Sequence, residues 1–384
     1  MAERTTAQAR RRRGELVRRA ALAGDAAGVF AGASSRLRDL VPFDASAWVT
    51  TDPATGLPAG PTRLENVHGI NAAQCSEHWR REFVVDDVNL FRDLMRADVP
   101  AAALRATARD PGRSGRYRTF VRPLGFDDEL RAVLRVGDTP WGTVTLWRRH
   151  GQPAFSEQDV ALVAGLSTPL GEALRARARP AAEPASAPHR DRPGLMTFDA
   201  AGGLLSIDEQ ALAWLDELPS ERGMPTDLGV DLPMWLIVTV FHAGAVASGS
   251  GDGTARARVR SRRGRWLTCH ASCLQRGDGN FGDIAVVLEP AQPAELVPII
   301  IEAYDLTGRE QEVVRLIARG AGTAELADEL YLSRHTVRDH VKTIFRKLGV
   351  SSRGELVAKL FAEHYLPGHV GGVVRADGDG ADAA

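Results

Sequence analysis

The fold class this sequence predicts is multidomain: two mixed α+β segments followed by a small all-α, four-helix segment. Three observations carry that reading. Short apolar runs divided by glycine-containing turns recur through residues 15–179 and again through 194–291. A stretch rich in proline, alanine and charge (180–193) separates them and reads as a linker. From residue 295 the apolar positions change to helical spacing and hold it to residue 366. At roughly 100–200 residues per domain, 384 residues suit such a division.

The first 14 residues are polar and basic, with Arg10, Arg11, Arg12 and Arg13 in a row, and are expected to be disordered. No apolar stretch follows them, so they do not read as a signal peptide. They suit a solvated tail or a weak phosphate-contacting arm. Further on, residues 131–136 and 143–147 have strand character around a Gly137-Asp138-Thr139-Pro140 turn. Ser156 with Asp159 three residues on predicts a capped helix start. Val160, Leu162, Val163, Leu166, Leu170 and Leu174 then form its apolar face.

The second segment opens as strand, turn, strand, with Phe198-Asp199 before Gly202-Gly203 and Leu204-Leu205-Ser206 after it. Residues 210–218 read as a helix. Residues 255–259 and 265–274 read as strands flanking Arg262-Arg263-Gly264, and 283–288 as a last strand. The longest apolar run, 232–246, contains Pro233 and His242. It is too short to span a bilayer and predicts a buried core segment.

In the third segment Thr307 and Glu310 predict a capping box, Gly320 a helix stop and Thr323 a second cap. A helix over 334–348, ended by Gly349, carries the main signal. Val337, Val341, Ile344, Phe345 and Leu348 share one face, and Arg334, Arg338, Lys342 and Arg346 recur every four residues on another. Between 334 and 353 six basic residues meet one acid, a local charge of +5 in a chain whose net charge is −1. A solvated face accounts equally well for such a helix in isolation. The short turn before it, the small preceding helix and a fourth helix over 353–365 favour a helix that enters a major groove. Residues 367–384 are glycine-rich and acidic, and are expected to be disordered.

The motifs Leu306-Thr307-Gly308-Arg309-Glu310, Thr323-Ala324-Glu325-Leu326-Ala327, Thr336-Val337-Arg338-Asp339-His340-Val341-Lys342 and Lys347-Leu348-Gly349-Val350 resemble the LuxR/FixJ helix-turn-helix family. The resemblance implies that Arg338, Asp339 and Lys342 face bases, and that Thr323, Ser333, Arg334, His335, Thr336 and Arg346 meet phosphates. Asp339 departs from the pattern, since an acid repels phosphate. Accepting from a cytosine amino group and pairing with a neighbouring arginine or His335 both stay open. The implied partner is promoter DNA, bound as a homodimer, and an unidentified small molecule and RNA polymerase are compatible further partners. An interaction protein whose helix-turn-helix meets another protein is the alternative.

Residues 131–178, with Trp141-Gly142-Thr143 and Phe155-Ser156-Glu157, resemble the end of a GAF domain, and Phe43-Asp44 to Asp52-Pro53 its early strand. Residues 194–290 resemble a PAS domain through Phe198-Asp199, Gly202-Gly203 and Gly264-Arg265-Trp266-Leu267. Together these resemble regulators of actinobacterial type. Sensing or dimerisation is the implied role, with no ligand named.

Other chemistry is poorly served by this composition. Lysine occurs only at 342, 347 and 359, so neither a P-loop nor a pyridoxal site can precede residue 342. Asp86-Asp87 is correspondingly a poor phospho-receiver. Cys75 and His68 are candidates for a chromophore or haem by residue type only, and a structural role is the stronger reading. Cys269, His270 and Cys273 could suggest a metal, but alternation along a strand turns His270 away from the two thiols. No catalytic motif, metal site or cofactor is expected. Three cysteines are too few for a disulfide framework, so a reducing cytoplasm is the expected compartment, with no membrane partner.

Overall fold

The computed structural model describes residues 2–70, 72–178, 192–219, 223–277, 281–292, 295–296, 299, 302–304 and 306–361. The 367–384 tail and the 180–193 linker, save its last two residues, lie outside the described residues.

The first sheet consists of β1 (Ala45–Thr51), β2 (Pro58–Glu65), β3 (Ala101–Ala103), β4 (Phe126–Val136) and β5 (Thr139–Arg149), in the order β2-β1-β5-β4-β3. Every pairing is antiparallel. The β4–β5 hairpin turns at Gly137, where φ is +59°, a conformation that glycine adopts without steric cost. Four helices cover one face: α1 (Ala2–Leu22), α2 (Ala26–Leu37), α6 (Glu157–Ala164) and α7 (Ser167–Arg177). Their core joins Leu16, Phe30, Leu170 and Leu174 to Trp48, Leu130 and Leu146 of the sheet. Ser156 and Asp159 form the expected capping box, but the apolar face that follows is divided between α6 and α7.

Residues 2–14 correct the expectation of a disordered tail, because they belong to α1. The physical reason lies further along the helix. Leu16 and Ala20, one turn apart, are fully buried, and Arg13 donates to the Gly165 carbonyl at 2.7 Å. Helix propagation from that anchor extends into the basic run, where arginine is a good helix former.

The opposite face is covered by α3 (Ala72–Phe83), α4 (Phe91–Arg96), α5 (Leu104–Thr107) and a π-helical turn over Tyr117–Val121. Alternation along β4 sends Leu130, Ala132 and Leu134 to the first core and Glu129 and Arg131 to this second one. Both charges are almost completely buried, and both are paired. Arg116 meets Glu129 at 2.8 Å, and Arg131 meets Glu82 at 2.8 Å while lying over the Phe91 ring. Burial of a charge is tolerable only with such partners.

The second sheet contains β6 (Gly194–Phe198), β7 (Leu204–Ile207), β10 (Arg256–Arg260), β11 (Trp266–Gln275) and β12 (Phe281–Pro290), in the order β10-β11-β12-β6-β7. Counted from its own first strand, this sheet has the same order as the first. A short hairpin of β8 (Met224–Pro225) and β9 (Asp231–Leu232) stands apart. Helices α8 (Glu209–Glu217) and α9 (Met234–Ala247) bury Trp214, Trp235, Leu236 and Val240 against Met196, Phe198, Leu267 and Leu288. The long apolar run is therefore a buried core segment, as expected, and it is helical.

Contacts among the described residues join these parts, three of them by buried groups. Asp52 and Arg258 form a buried ion pair at 2.9 Å between the β1–β2 loop and β10. Cys75 and Trp79 of α3 meet the Met234 sulfur of α9 at 3.4 and 3.3 Å. Ala303, on the way to the last segment, is buried in the first core, beside the Thr139–Glu302 hydrogen bond.

Candidate nucleic-acid interface

The last segment holds α10 (Gly308–Ala318), α11 (Thr323–Glu329), α12 (Arg334–Leu348) and α13 (Arg353–Phe361). Its core includes Leu306, Val313, Ile317, Leu326, Val337, Ile344, Leu348 and Leu356. Thr307 and Glu310 form the capping box read from the sequence, the Glu310 carboxylate accepting from the Thr307 amide at 2.7 Å. At α11 the cap is Gly322 and Thr323 is the first helical residue, a shift of one from expectation; Glu325 accepts from the Gly322 amide at 2.6 Å. The connection to α12 passes through Tyr331, with φ of +54° and its side chain exposed. Ser333 caps α12, accepting from the Thr336 amide at 3.1 Å, and Gly349 ends it at φ +66°.

Amphipathicity settles how α12 sits. Val337, Ile344 and Leu348 are buried, and Val341 and Phe345 pack beside them. The same rotation leaves Arg334, Arg338, Lys342 and Arg346 exposed, without a hydrogen-bond or ion-pair partner among the described residues. Arg338 and Lys342 share one wall of an open cleft with Val341 and Phe345, and Thr323 of α11 and Arg353 of α13 complete it. One terminal nitrogen of the half-buried Arg353 has no hydrogen-bond partner there. Three cations thus converge on one concavity, an arrangement that attracts an anion.

The structure separates the remaining expected residues. Ser333 and Thr336 hydrogen bond to each other at 2.9 Å beside the start of α12, where Arg334 and His335 are also exposed. Asp339 pairs with His335 at 3.0 Å, which is one of the two roles open to it in the sequence. Lys347 does not belong to the basic stripe. Its ammonium meets Glu310 at 2.7 Å, so one unit of the local +5 is neutralised inside the segment. Burial pushes the Glu310 carboxyl up, but the hydrogen bonds from Lys347 and the Thr307 amide, with the Lys347 charge, outweigh it and hold it below the ordinary carboxylate range. Sequence reasoning counted Arg353 only in the charge sum. Its place opposite α12 depends on the fold of α13, although its position at a helix start was visible.

The alternative site residues have local explanations. Burial pushes the Cys75 and Cys269 thiols up to about 12, so neither is a ready thiolate. Along β11, Leu267, Cys269 and Ala271 are buried, His270 is exposed, and Cys273 is half-buried. Asp86 is exposed beside Arg92. Asp87 accepts from the Arg116 and Val88 amides at 2.7 and 2.8 Å and so fixes its own loop. His68 is exposed. No helix among the described residues is long and apolar enough to cross a membrane.

Residues 305–360 match the family model for bacterial regulatory proteins, luxR family. The spore germination protein GerE of Bacillus subtilis is 44% identical over 55 residues, which are 14% of this chain and 74% of GerE. The transcriptional regulatory protein DesR of Bacillus subtilis is 39% identical over 67 residues, 17% of this chain and 34% of DesR. A probable transcriptional regulatory protein NarL of Mycobacterium tuberculosis is 41% identical over 61 residues, 16% of this chain and 28% of NarL. The chain thus spans about a third or less of DesR and NarL. Among solved structures, Escherichia coli SdiA aligns with 92% of this chain and 96% of its own at 12% identity, with a TM-score of 0.33, too loose a likeness to assign a fold. On the strength of its last segment, the chain belongs to the luxR family of bacterial regulatory proteins.

Proposed function

We propose that this protein is a sequence-specific DNA-binding transcription regulator whose two sheet-bearing segments, of GAF-like (15–179) and PAS-like (194–291) kind, receive a signal or mediate dimerisation. The single observation that carries the DNA reading is the α12 surface. Four exposed cations without partners among the described residues lie on a helix whose other side is locked in a core. Arg338 and Lys342 are the base-facing residues, and Asp339 joins them by exchanging His335 for a cytosine amino group. Arg334, Arg346 and Arg353 meet phosphates, and Thr323, Ser333, His335 and Thr336 supply further backbone contacts. The shared strand order of the two sheets supports a tandem of GAF-like and PAS-like domains.

Salt dependence of DNA binding by the intact chain tests this reading. Three phosphate-facing cations per protomer neutralise about six phosphates in a homodimer, which gives a slope of log affinity against log salt near −5. Weak binding with a slope near zero would favour the rival, a helix-turn-helix that meets a protein.

A further inference from the structure

Between the two sheet-bearing segments lies a cavity of about 340 Å³ that the DNA-binding reading leaves unused. One side is the end of α3, α4 and the β1–β2 loop; the other is the end of α9 and residues 250–252. We propose that this cavity is a binding site for a small, uncharged, planar aromatic or heteroaromatic molecule that carries hydrogen-bonding groups on its edges. The inference rests on reading the two segments as the signal-receiving part of the regulator.

Four features set the ligand's chemistry. The size lies at the lower end of small-molecule sites. The wall is aromatic: Trp79 and Phe83 are stacked, Phe83 meets His242 edge-on, and Phe91 adds a further ring. Two lining side chains are more than nine-tenths buried and keep a polar atom without a partner among the described residues: Thr51 Oγ1 and His242 Nδ1. Burial favours the neutral imidazole of His242, outweighing the opposing influence of the Asp252 backbone. In the neutral ring the unpartnered Nδ1 can accept from the ligand or donate to it according to tautomer, and the Thr51 hydroxyl can give or accept. Finally, the charged lining residues are mixed in sign. Glu82, Asp93 and Asp252 face Arg92 and Arg96, with Glu82 tied to Arg131 and Arg92 to Asp86 and Asp93, so the lining is close to balanced and suits an uncharged ligand.

The position also suits a signal. Thr51 precedes Asp52, whose partner Arg258 donates to the Glu295 carbonyl at 2.7 Å on the way to the last segment.

Benzimidazole is an apt probe, since its flat ring bears one N–H donor and one acceptor nitrogen. Saturation-transfer NMR on the intact chain without DNA, against benzoate and benzamidine, tests the site independently of DNA binding. The neutral probe is expected to receive saturation and the charged ones none. Thr51→Val should weaken binding about 2- to 10-fold, the range of one neutral hydrogen bond. The same variant should raise the apo melting temperature, because it removes an unpartnered buried hydroxyl. Opposite signs on affinity and stability are what a merely structural threonine would not give. No transfer to benzimidazole, equal transfer to the charged probes, or unchanged affinity in Thr51→Val would each overturn the proposal.

Discussion

Two lysines on α12, five positions apart, are assigned opposite tasks, and replacing each tests the division. Lys342 is exposed and unpartnered among the described residues, whereas Lys347 is three-quarters buried against Glu310. Lys347→Met keeps most of the apolar stem but leaves a buried carboxylate without its cation. A hydrogen bond to a charged group contributes about 1.5–3 kcal/mol. That corresponds to a loss of about 10- to 150-fold in hydrogen-exchange protection. The loss should fall on α10 and α12, the helices the pair joins, and exchange resolves it by segment in a chain with several cores. Its pH dependence follows from Glu310. A carboxyl held below its ordinary value of 4.5 contributes stability above that pH and loses it as pH falls through the folded value. The difference between wild type and Lys347→Met should therefore be full at pH 7 and shrink only as pH falls below 4.5. DNA binding gives the complementary readout. Lys342→Ala should weaken binding and leave protection unchanged. Lys347→Met should leave the salt slope unchanged. A slope reduced by about 1.8 in Lys347→Met, the amount two phosphates contribute (one per protomer of the homodimer), would refute the assignment. Protection unchanged at pH 7 would refute it too.

Two further outcomes are expected. Gly349 ends α12 at φ +66° with open space where a Cβ would stand, so Gly349→Ala should cost about 1 kcal/mol through backbone conformation alone, read by exchange at the end of α12. Iodoacetamide at pH 8 should modify Cys273 before Cys75 and Cys269, both buried and pushed up to about 12; peptide mass spectrometry of the native protein checks the order.

What could be read in the sequence was local. Both capping boxes depend on residues three apart, the β4–β5 hairpin on a four-residue turn, and the basic stripe on a four-residue repeat. What could not be read was pairing at a distance. Glu129 and Arg131 look like the solvent side of a strand until Arg116 and Glu82 arrive from other elements to cover them. Lys347 looks like one more cation of the stripe because Glu310 is 37 positions away. The basic start of the chain looks like a tail because Leu16 and Ala20, packed against distant helices, and Arg13, bonded to the distant Gly165 carbonyl, hold it as a helix. His242 looks like an interruption in an apolar run, and its place in a cavity wall depends on two segments meeting.

The central claim is that α12 reads DNA sequence, and selection of bound sites from random DNA tests it most directly, with wild type and Arg338→Ala in parallel. Wild type should enrich a two-fold-symmetric site. The variant should relax the preference at one base of each half-site, at a cost of about 1–3 kcal/mol. Failure of wild type to enrich any sequence, or an identical site selected by Arg338→Ala, would contradict the account.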